Sequence, residues 1–526
     1  MVSTASAHVD TFCRDRLPPA ECWPRLLFDL PQLRYPARLN AAEELLAGPA
    51  DDRACLRRSG VAWSYGQLRE HAHRIAAVLT EDFGLVPGNR VLLRGPNEPW
   101  LVACWLGVLL AGGVAVATMP MLRRAELVTI AELARPSLAL CHHGHTDELP
   151  DLPTVGYADD AELTERCARR EPRPEAVATA ADDVALLAFT SGTTGRPKAT
   201  MHLHRDLLAI DDTFGRHLLK ITPDDVVTGT PPIAFTFGLG GLVVFPLRAG
   251  ACTVLVDRLT PLQLADAVAD ERATVLFTAP TAYRAIIAAG RGDRLLGVRR
   301  AVSAGETLPA TVWHAVHDQT GVRIIDGIGS TELLHVFISA ADDAIRPGCT
   351  GVAVPGYRAA VLDDDGRPAP DDIPGHLAVQ GPTGCRYLNG DRQDSYVRHG
   401  WNLTGDTFAR SADGYFRFLA RSDDMIVSSG YNISGPEVEQ ALLGHPDVQD
   451  CAVVGTPDEQ RGALVTAYVV LRPGGTPDAA ALQAFVRSAI APYKYPRRVE
   501  FVPDLPRTNT GKLQRFVLRR RAAGTV

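Results

Sequence analysis

Thr190, Ser191, Gly192, Thr193, Thr194 and Gly195 follow an apolar run and lead directly into Arg196-Pro197-Lys198. Backbone N–H groups and hydroxyls in such a turn suit the oxygens of a phosphate, and a nearby lysine supplies the matching charge. The spacing excludes one common solution. A Walker loop runs Gly, four residues, then Gly-Lys-Ser/Thr at the start of a helix, whereas the order here is Gly192-x-x-Gly195-x-x-Lys198. Pro197 also removes a backbone donor and holds the residue before it extended. The turn is therefore not that of a kinase or GTPase, and taken alone it is either a phosphate cradle or a polar surface loop.

Four further segments decide between these. They are "GIGSTE" (327–332), "LTGD" (403–406), "RSDDMIVSSGYNISGPEVE" (421–439) and "PRTNTGKLQR" (506–515), in that order. Together with "TSGTTGRPKAT" they resemble the motif set of the acyl-adenylate-forming, AMP-binding superfamily, and the resemblance covers nearly the whole chain. It implies a nucleotide site formed by Thr190, Ser191, Gly192, Thr193, Thr194, Gly195, Lys198, Gly305, Glu306, Asp326, Gly327, Ile328, Gly329, Asp406 and Arg421. Within that site it gives Thr331 the α-phosphate, Glu332 a Mg²⁺ ion and Asp406 the ribose hydroxyls. It makes Lys512 the catalytic lysine of a C-terminal domain that swings about Asp423.

The residue types suit that chemistry. A carboxylate attacking the α-phosphorus of ATP brings two anions together while pyrophosphate leaves. An ammonium ~4 Å from the developing charge contributes ~4 kcal/mol at an effective dielectric of ~20, about a thousandfold in rate. Taken alone, Lys512 would be a solvated lysine near a chain end, Glu332 a helix-start carboxylate and Asp406 a turn residue capping its own backbone. The motif string reverses those readings. Lys198 is expected to assist the β- and γ-phosphates, and Glu332 to hold the hard cation that neutralises them.

A second half-reaction needs a thiol at the same carbonyl. The resemblance brings Ser429, Gly430 and Tyr431 to a pantetheine tunnel once Lys512 withdraws, with Gly430 leaving room for the thin arm; alone, Gly430 is a turn glycine. The acid pocket is expected from "PPIAFTFGLGG" (231–241), "SAGE" (303–306) and "GIGSTELLH" (327–335). Ile328 stands where most of the family has an aromatic, and with the N-terminal segment 13–46 it resembles the benzoate and 2-aminobenzoate CoA ligase branch. Phe237, Gly238 and Gly329 would form a flat slot for a ring, and Thr236 or His335 would meet an ortho amino or hydroxyl group. The alternatives are a core phenylalanine and a structural histidine.

The expected reaction is ATP-dependent activation of an aryl acid followed by transfer to coenzyme A. One rival is an adenylating enzyme that loads the phosphopantetheine of a carrier protein; no carrier domain follows in the chain, so that acceptor would arrive in trans. A second is a nucleotide-binding protein without catalysis, against which the joint presence of Lys198, Glu332, Asp406, Arg421 and Lys512 argues. Nothing specifies an oxygen-handling site of the luciferase kind.

These residues need elements to position them. Apolar runs at 89–95, 113–119, 184–190, 226–230, 251–256 and 274–279 alternate with helical patterns such as 65–79 and 259–271, which predicts helix-flanked parallel sheets. After about residue 345, Gly, Pro and Asp multiply and a small β-barrel-like subdomain is expected to about 420. The expected division is an N-terminal AMP-binding domain over 1–422 and a mobile α+β domain over 423–526. The uncharged run 100–120 is long enough to cross a bilayer, but Gly112-Gly113 splits it into a helix-length half and a β-branched half, which suits a buried helix, turn and strand. At 526 residues, 46% hydrophobic and net charge −7, the chain is multidomain and offers nothing to attract nucleic acid or an anionic membrane. Ten scattered cysteines without metal spacing, and an N-terminus without an apolar signal segment, point to a cytoplasmic protein, monomeric or homodimeric.

Overall fold

The computed structural model describes the chain except for residues 1–4, 174, 191–196, 391, 422–423, 429–430, 459–460, 491, 508–512 and 523–526. Among the described residues the fold is α/β, with two large sheets, a five-stranded sheet and a smaller C-terminal unit. The first sheet has nine strands, and its central portion runs Ile324–Gly329, Arg300–Ser303, Val275–Thr278, Val226–Gly229, Cys252–Leu255 and Ala54–Arg58, all mutually parallel. The second has six strands, from Thr154–Tyr157 through Leu138–His142, Arg90–Arg94, Val114–Thr118 and Val184–Thr190 to Lys198–Leu203.

The parallel expectation needs correcting at the edges. Val61–Ser64, Val336–Ser339 and Val352–Ala353 pair antiparallel in the first sheet, and Lys198–Leu203 pairs antiparallel with Val184–Thr190 in the second. The last pairing matters to the site. Thr190 lies opposite Lys198, so the strands on either side of the glycine-rich segment pair antiparallel, and Lys198 begins a strand and not a helix. Pro197, which cannot enter an α-helix interior and restricts its predecessor to extended backbone, fits that geometry.

The run 100–120 divides as its sequence predicts. Helix Pro99–Leu110 is buried along its whole length, Gly112 turns with φ 73°, and strand Val114–Thr118 follows. Pro99–Leu110 packs on helix Tyr65–Glu81, whose start is closed by the reciprocal Ser64 and Gln67 capping box. No described helix is long and apolar enough to cross a membrane.

Past residue 350 the strands Arg358–Leu362, Gly375–Gln380, Val397–Arg398, Trp401–Arg410 and Phe416–Arg421 form the antiparallel five-stranded sheet. The final unit pairs Val448–Asp458, Gly462–Leu471 and Arg498–Phe501, with helices Gly435–Leu443 and Ala479–Ala489 against them. It has apolar clusters of its own, built around Val438, Val453, Val469 and Val486 and around Tyr468 and Leu518. All ten cysteines are unpaired thiols, eight of them buried.

Candidate active site

Two adjoining cavities lie at the carboxyl ends of the parallel strands, where open α/β sheets present their ligand crevices. The larger, about 490 Å³, lies between the sheets and the C-terminal unit. On one side it is lined by Gly305, Glu306, Asp326, Gly327, Ile328, Gly329, Asp406 and Arg421, and on the other by Glu439, Asp450, Arg507, Leu513 and Arg515. Residues from four separated sequence motifs thus share one cleft.

Strand pairing explains how Asp406 and Arg421 come together. They are partners across the antiparallel strands Trp401–Arg410 and Phe416–Arg421, and the Arg421 guanidinium donates to the Asp406 carboxylate at 3.0 Å and to the Thr404 carbonyl at 3.2 Å. Burial raises the Asp406 carboxyl above the usual carboxylate range, and the charge of Arg421 opposes that shift. Asp326, on the strand Ile324–Gly329, has a carboxyl tip shielded from solvent with no hydrogen-bond partner at Oδ1. Burial pushes its pKa up to about 8, which makes it a neutral acid or a strong acceptor for an amino group. Across the cleft, Arg507 donates to Glu306 at 3.1 Å and to Asp450 at 2.9 Å, so the C-terminal unit is tied at Arg507 to the large sheet.

The turn 330–335 is pinned from several directions. The Ser330 hydroxyl accepts from the Leu333 N–H and lies 3.2 Å from the Tyr396 hydroxyl. The Thr331 carbonyl accepts from His202 Nε2 at 2.8 Å, and the Leu333 carbonyl accepts from the Thr383 hydroxyl at 2.7 Å. Leu334, fully buried, takes φ 71° and ψ −41°, a region that non-glycine residues rarely occupy. The strain turns the chain sharply, so that Thr331 and His335 line the smaller cavity while Glu332 lies beside it, accepting from the Tyr387 hydroxyl at 2.7 Å. Lys198 stands over the same ring, with Nζ 5.5 Å from its centroid. Burial lowers the Lys198 pKa, Arg392 adds to that shift, and Glu332 opposes it. Lys198, Glu332 and Tyr387 therefore form one cluster.

The smaller cavity, about 390 Å³, opens from Gly305, Gly329 and Ser330, which it shares with the cleft. Thr236, Phe237 and His335 line it as the sequence suggested. Gly238 does not: it is buried against the Pro231-Pro232 turn, where a Cβ would stand 2.1 Å from the Pro232 carbonyl oxygen, so it serves packing instead of the slot. Ile328, expected in the nucleotide site, lines the larger cleft and not this cavity. His335 is enclosed by Phe214, Phe237 and Phe245, with ring centroids 4.7–5.6 Å away. Gly240, in the π-helical turn Gly240–Val244, allows that packing, since a Cβ there would come within 2.4 Å of His335 Cδ2. Neither ring nitrogen of His335 has a well-formed hydrogen bond.

Burial holds His335 and His204 at about 3 and His202 at about 4, so all three imidazoles are neutral near pH 7. Their counterparts in the unfolded chain titrate near 6.5. Above that pH neither state binds the proton and stability is unaffected by these groups. Below it the unfolded chain takes up protons that the folded chain cannot, so stability falls until the folded values are reached. The urea midpoint is expected to drop steadily from pH 6.5 to pH 4, each pH unit costing about 1.4 kcal/mol per histidine. A midpoint flat over that interval would contradict the neutral assignment.

Several lining residues were not legible as site residues. Asn97 clamps the turn between the sheets, donating to the Pro231 carbonyl and accepting from the Ile233 N–H at 2.9 Å. Met119, Met121, Val256, Asp257 and Arg258 complete the cavity. All follow the carboxyl ends of apolar strand runs, the signal that could have found them. Among the expected residues, Ser191, Gly192, Thr193, Thr194, Gly195, Asp423, Ser429, Gly430 and Lys512 lie outside the described residues, as does the Tyr431 side chain.

Comparison with known proteins agrees with this geometry. The family model for AMP-binding enzymes matches residues 43–387, and that for the AMP-binding enzyme C-terminal domain matches 437–512. The chain is 35% identical to a benzoate–CoA ligase of Thauera aromatica, over 93% of this chain and 97% of the relative. Among solved structures, an anthranilate CoA ligase in complex with anthranoyl-AMP superposes with a TM-score of 0.88 at 30% identity, covering 94% of this chain and 100% of that one. A benzoate CoA ligase from Burkholderia xenovorans LB400 gives 0.85 at 31% identity, covering 91% and 100%. Taken with the cleft and its converging motifs, these matches establish that the chain belongs to the AMP-binding enzyme family.

Proposed function

We propose that the chain is an AMP-forming aryl-CoA ligase. It activates an aromatic carboxylic acid of the benzoate, 2-aminobenzoate or salicylate type with ATP and passes the acyl group to coenzyme A. The observation that carries this reading is the junction of the two cavities at Gly305, Gly329 and Ser330. A nucleotide in the cleft with its charged side chains and an aromatic acid in the mainly apolar cavity would meet there, and the relatives named as benzoate and anthranilate CoA ligases support the acid class.

In the first step a carboxylate oxygen forms a bond to the α-phosphorus while the bond to the pyrophosphate oxygen breaks. Asp406 holds the ribose, Thr331 and Lys198 face the phosphates, and Lys512 stabilises the charge that develops. In the second step the coenzyme A thiol gives up its proton and its sulfur bonds to the acyl carbon, while the bond from that carbon to the phosphate oxygen breaks and AMP leaves. The 423–526 unit rotates about Asp423 between the two, bringing Ser429, Gly430 and Tyr431 to the pantetheine arm. Neutral His335 offers one donor and one acceptor nitrogen to a ring substituent.

Glu332 is the residue that would hold Mg²⁺. One carboxylate fits that ion, which takes its remaining positions from substrate phosphates and water, and among the described residues no group of three or more acidic, His or Cys side chains forms a protein-only site. When bound, the ion neutralises the triphosphate. Tyr387→Phe removes the hydroxyl that orients Glu332 and is expected to slow adenylation about tenfold, the effect of one hydrogen bond to a charged group. Pyrophosphate exchange measured across a Mg²⁺ titration checks this, and an unchanged rate and Mg²⁺ dependence would remove Tyr387 from the site.

The direct test of function is ATP–pyrophosphate exchange over benzoate, 2-aminobenzoate, salicylate and straight-chain acids, followed by turnover with coenzyme A and with carrier proteins bearing phosphopantetheine. Aryl acids with coenzyme A are the expected substrates. Preference for medium-chain fatty acids, or for the carrier, would overturn the assignment.

A further inference from the structure

The acid cavity is longer than one aromatic ring. It runs beneath the carboxyl ends of five neighbouring strands of the first sheet, from Gly329 at the end of Ile324–Gly329 to Val256 after Cys252–Leu255. Four strand spacings of ~4.8 Å make that span about 19 Å. Its volume, about 390 Å³, also exceeds the roughly 150 Å³ of a cavity that holds benzene.

His335 and Phe237 pack on each other with ring centroids 5.6 Å apart and form one aromatic wall, and His335 is backed so closely by Gly240 that no Cβ fits between them. Toward the other end the wall becomes Met119, Met121 and Val256, apolar and, for the thioethers, adaptable in shape. That end finishes at Asp257 and Arg258, which lie 4.0 Å apart, with the arginine side chain 61% exposed. The lining thus combines an aromatic wall, an apolar and pliable stretch, and a polar end.

We propose that the preferred acid is an elongated arylcarboxylic acid, in which a second ring or an extended substituent continues the carboxylate axis toward Asp257 and Arg258. The proposal rests on the aryl-acid reading above and deepens it. An ortho substituent of the same size meets the His335 and Phe237 wall, whereas a para substituent follows the channel.

The test compares kcat/KM for thioester formation with benzoate, 4-phenylbenzoate and 2-phenylbenzoate. The two phenyl isomers share composition and hydrophobicity, so only shape separates them. The expected result is at least a tenfold gain for 4-phenylbenzoate over benzoate, with the 2-phenyl isomer below both. Turnover of benzoate with 4-phenylbenzoate equal or slower overturns the elongated channel and leaves the aryl reading standing. Activity on straight-chain acids with none on all three aryl acids overturns both. Val256→Trp fills the far half and is expected to lower the ratio of 4-phenylbenzoate to benzoate kcat/KM at least tenfold. An unchanged ratio in that variant would also overturn the proposal, and the panel on the unaltered protein decides the matter if the variant does not fold.

Discussion

Lys512→Ala is expected to slow acyl-adenylate formation about a thousandfold, the loss of ~4 kcal/mol of charge stabilisation, while still converting supplied acyl-adenylate to thioester. The two half-reactions differ in what they ask of this ammonium. Only the first brings carboxylate and triphosphate together, and only there does negative charge build up between two anions. Arg507 and Leu513, on either side of the segment that carries Lys512, both line the nucleotide cleft, and Arg507 is tied across it to Glu306. The described residues on both sides of that segment therefore line the cleft proposed for the nucleotide. Pyrophosphate exchange reports the first step, and thioester release from synthetic acyl-adenylate reports the second. Equal loss of both would contradict a lysine that serves one conformation only.

Arg386→Met should give the largest loss of stability. Arg386 donates to Asp206 at 2.9 Å, and neither side chain is exposed at all. Asp206 Oδ2 also accepts from the Leu203 N–H, and the guanidinium lies 4.7 Å from the Trp23 ring. Removing the arginine strands a carboxylate in the interior, at a cost of about 3–5 kcal/mol. Asp206→Leu together with Arg386→Met removes both charges and should recover most of that loss. The pair also supports the site. The Arg386 carbonyl accepts from the Met201 N–H, His202 lies 4.0 Å from Asp206, and Tyr387 follows directly. Pyrophosphate exchange should therefore fall with the urea midpoint in the single variant. A single variant as stable as the parent would show that the buried charge finds another partner.

Much of this arrangement can be traced in the chain itself. The apolar runs 89–95, 184–190 and 274–279 are strands, and Gly112-Gly113 does divide helix from strand within an uncharged stretch. Pro197 carried the information that the glycine-rich turn leads into extended chain, although only the pairing of Thr190 with Lys198 shows that the flanking strands are antiparallel partners. Local patterns of this kind are legible because backbone sterics and burial act over a few residues.

What could not be traced depends on partners far apart in sequence. The strand order that sets Cys252–Leu255 beyond Val226–Gly229 fixes the length of the acid cavity, and no local signal reveals it. Asn97 and Tyr387 carry no motif of their own and become meaningful only against Pro231 and Glu332. Gly238 misled for the opposite reason. It stands among cavity residues in the chain, but its missing side chain lets the backbone pack against Pro232.

The central claim is that a nucleotide lies between the carboxyl ends of the first sheet and the segment that approaches Lys512, with the acid beside it. A crystal structure with a non-hydrolysable aryl-adenylate analogue tests this most directly. The expected result has the ribose hydroxyls on Asp406, the adenine near Asp326 and the aryl ring in the cavity lined by Thr236, Phe237 and His335. A ligand bound away from Asp406 and from residues 507–515 would contradict it.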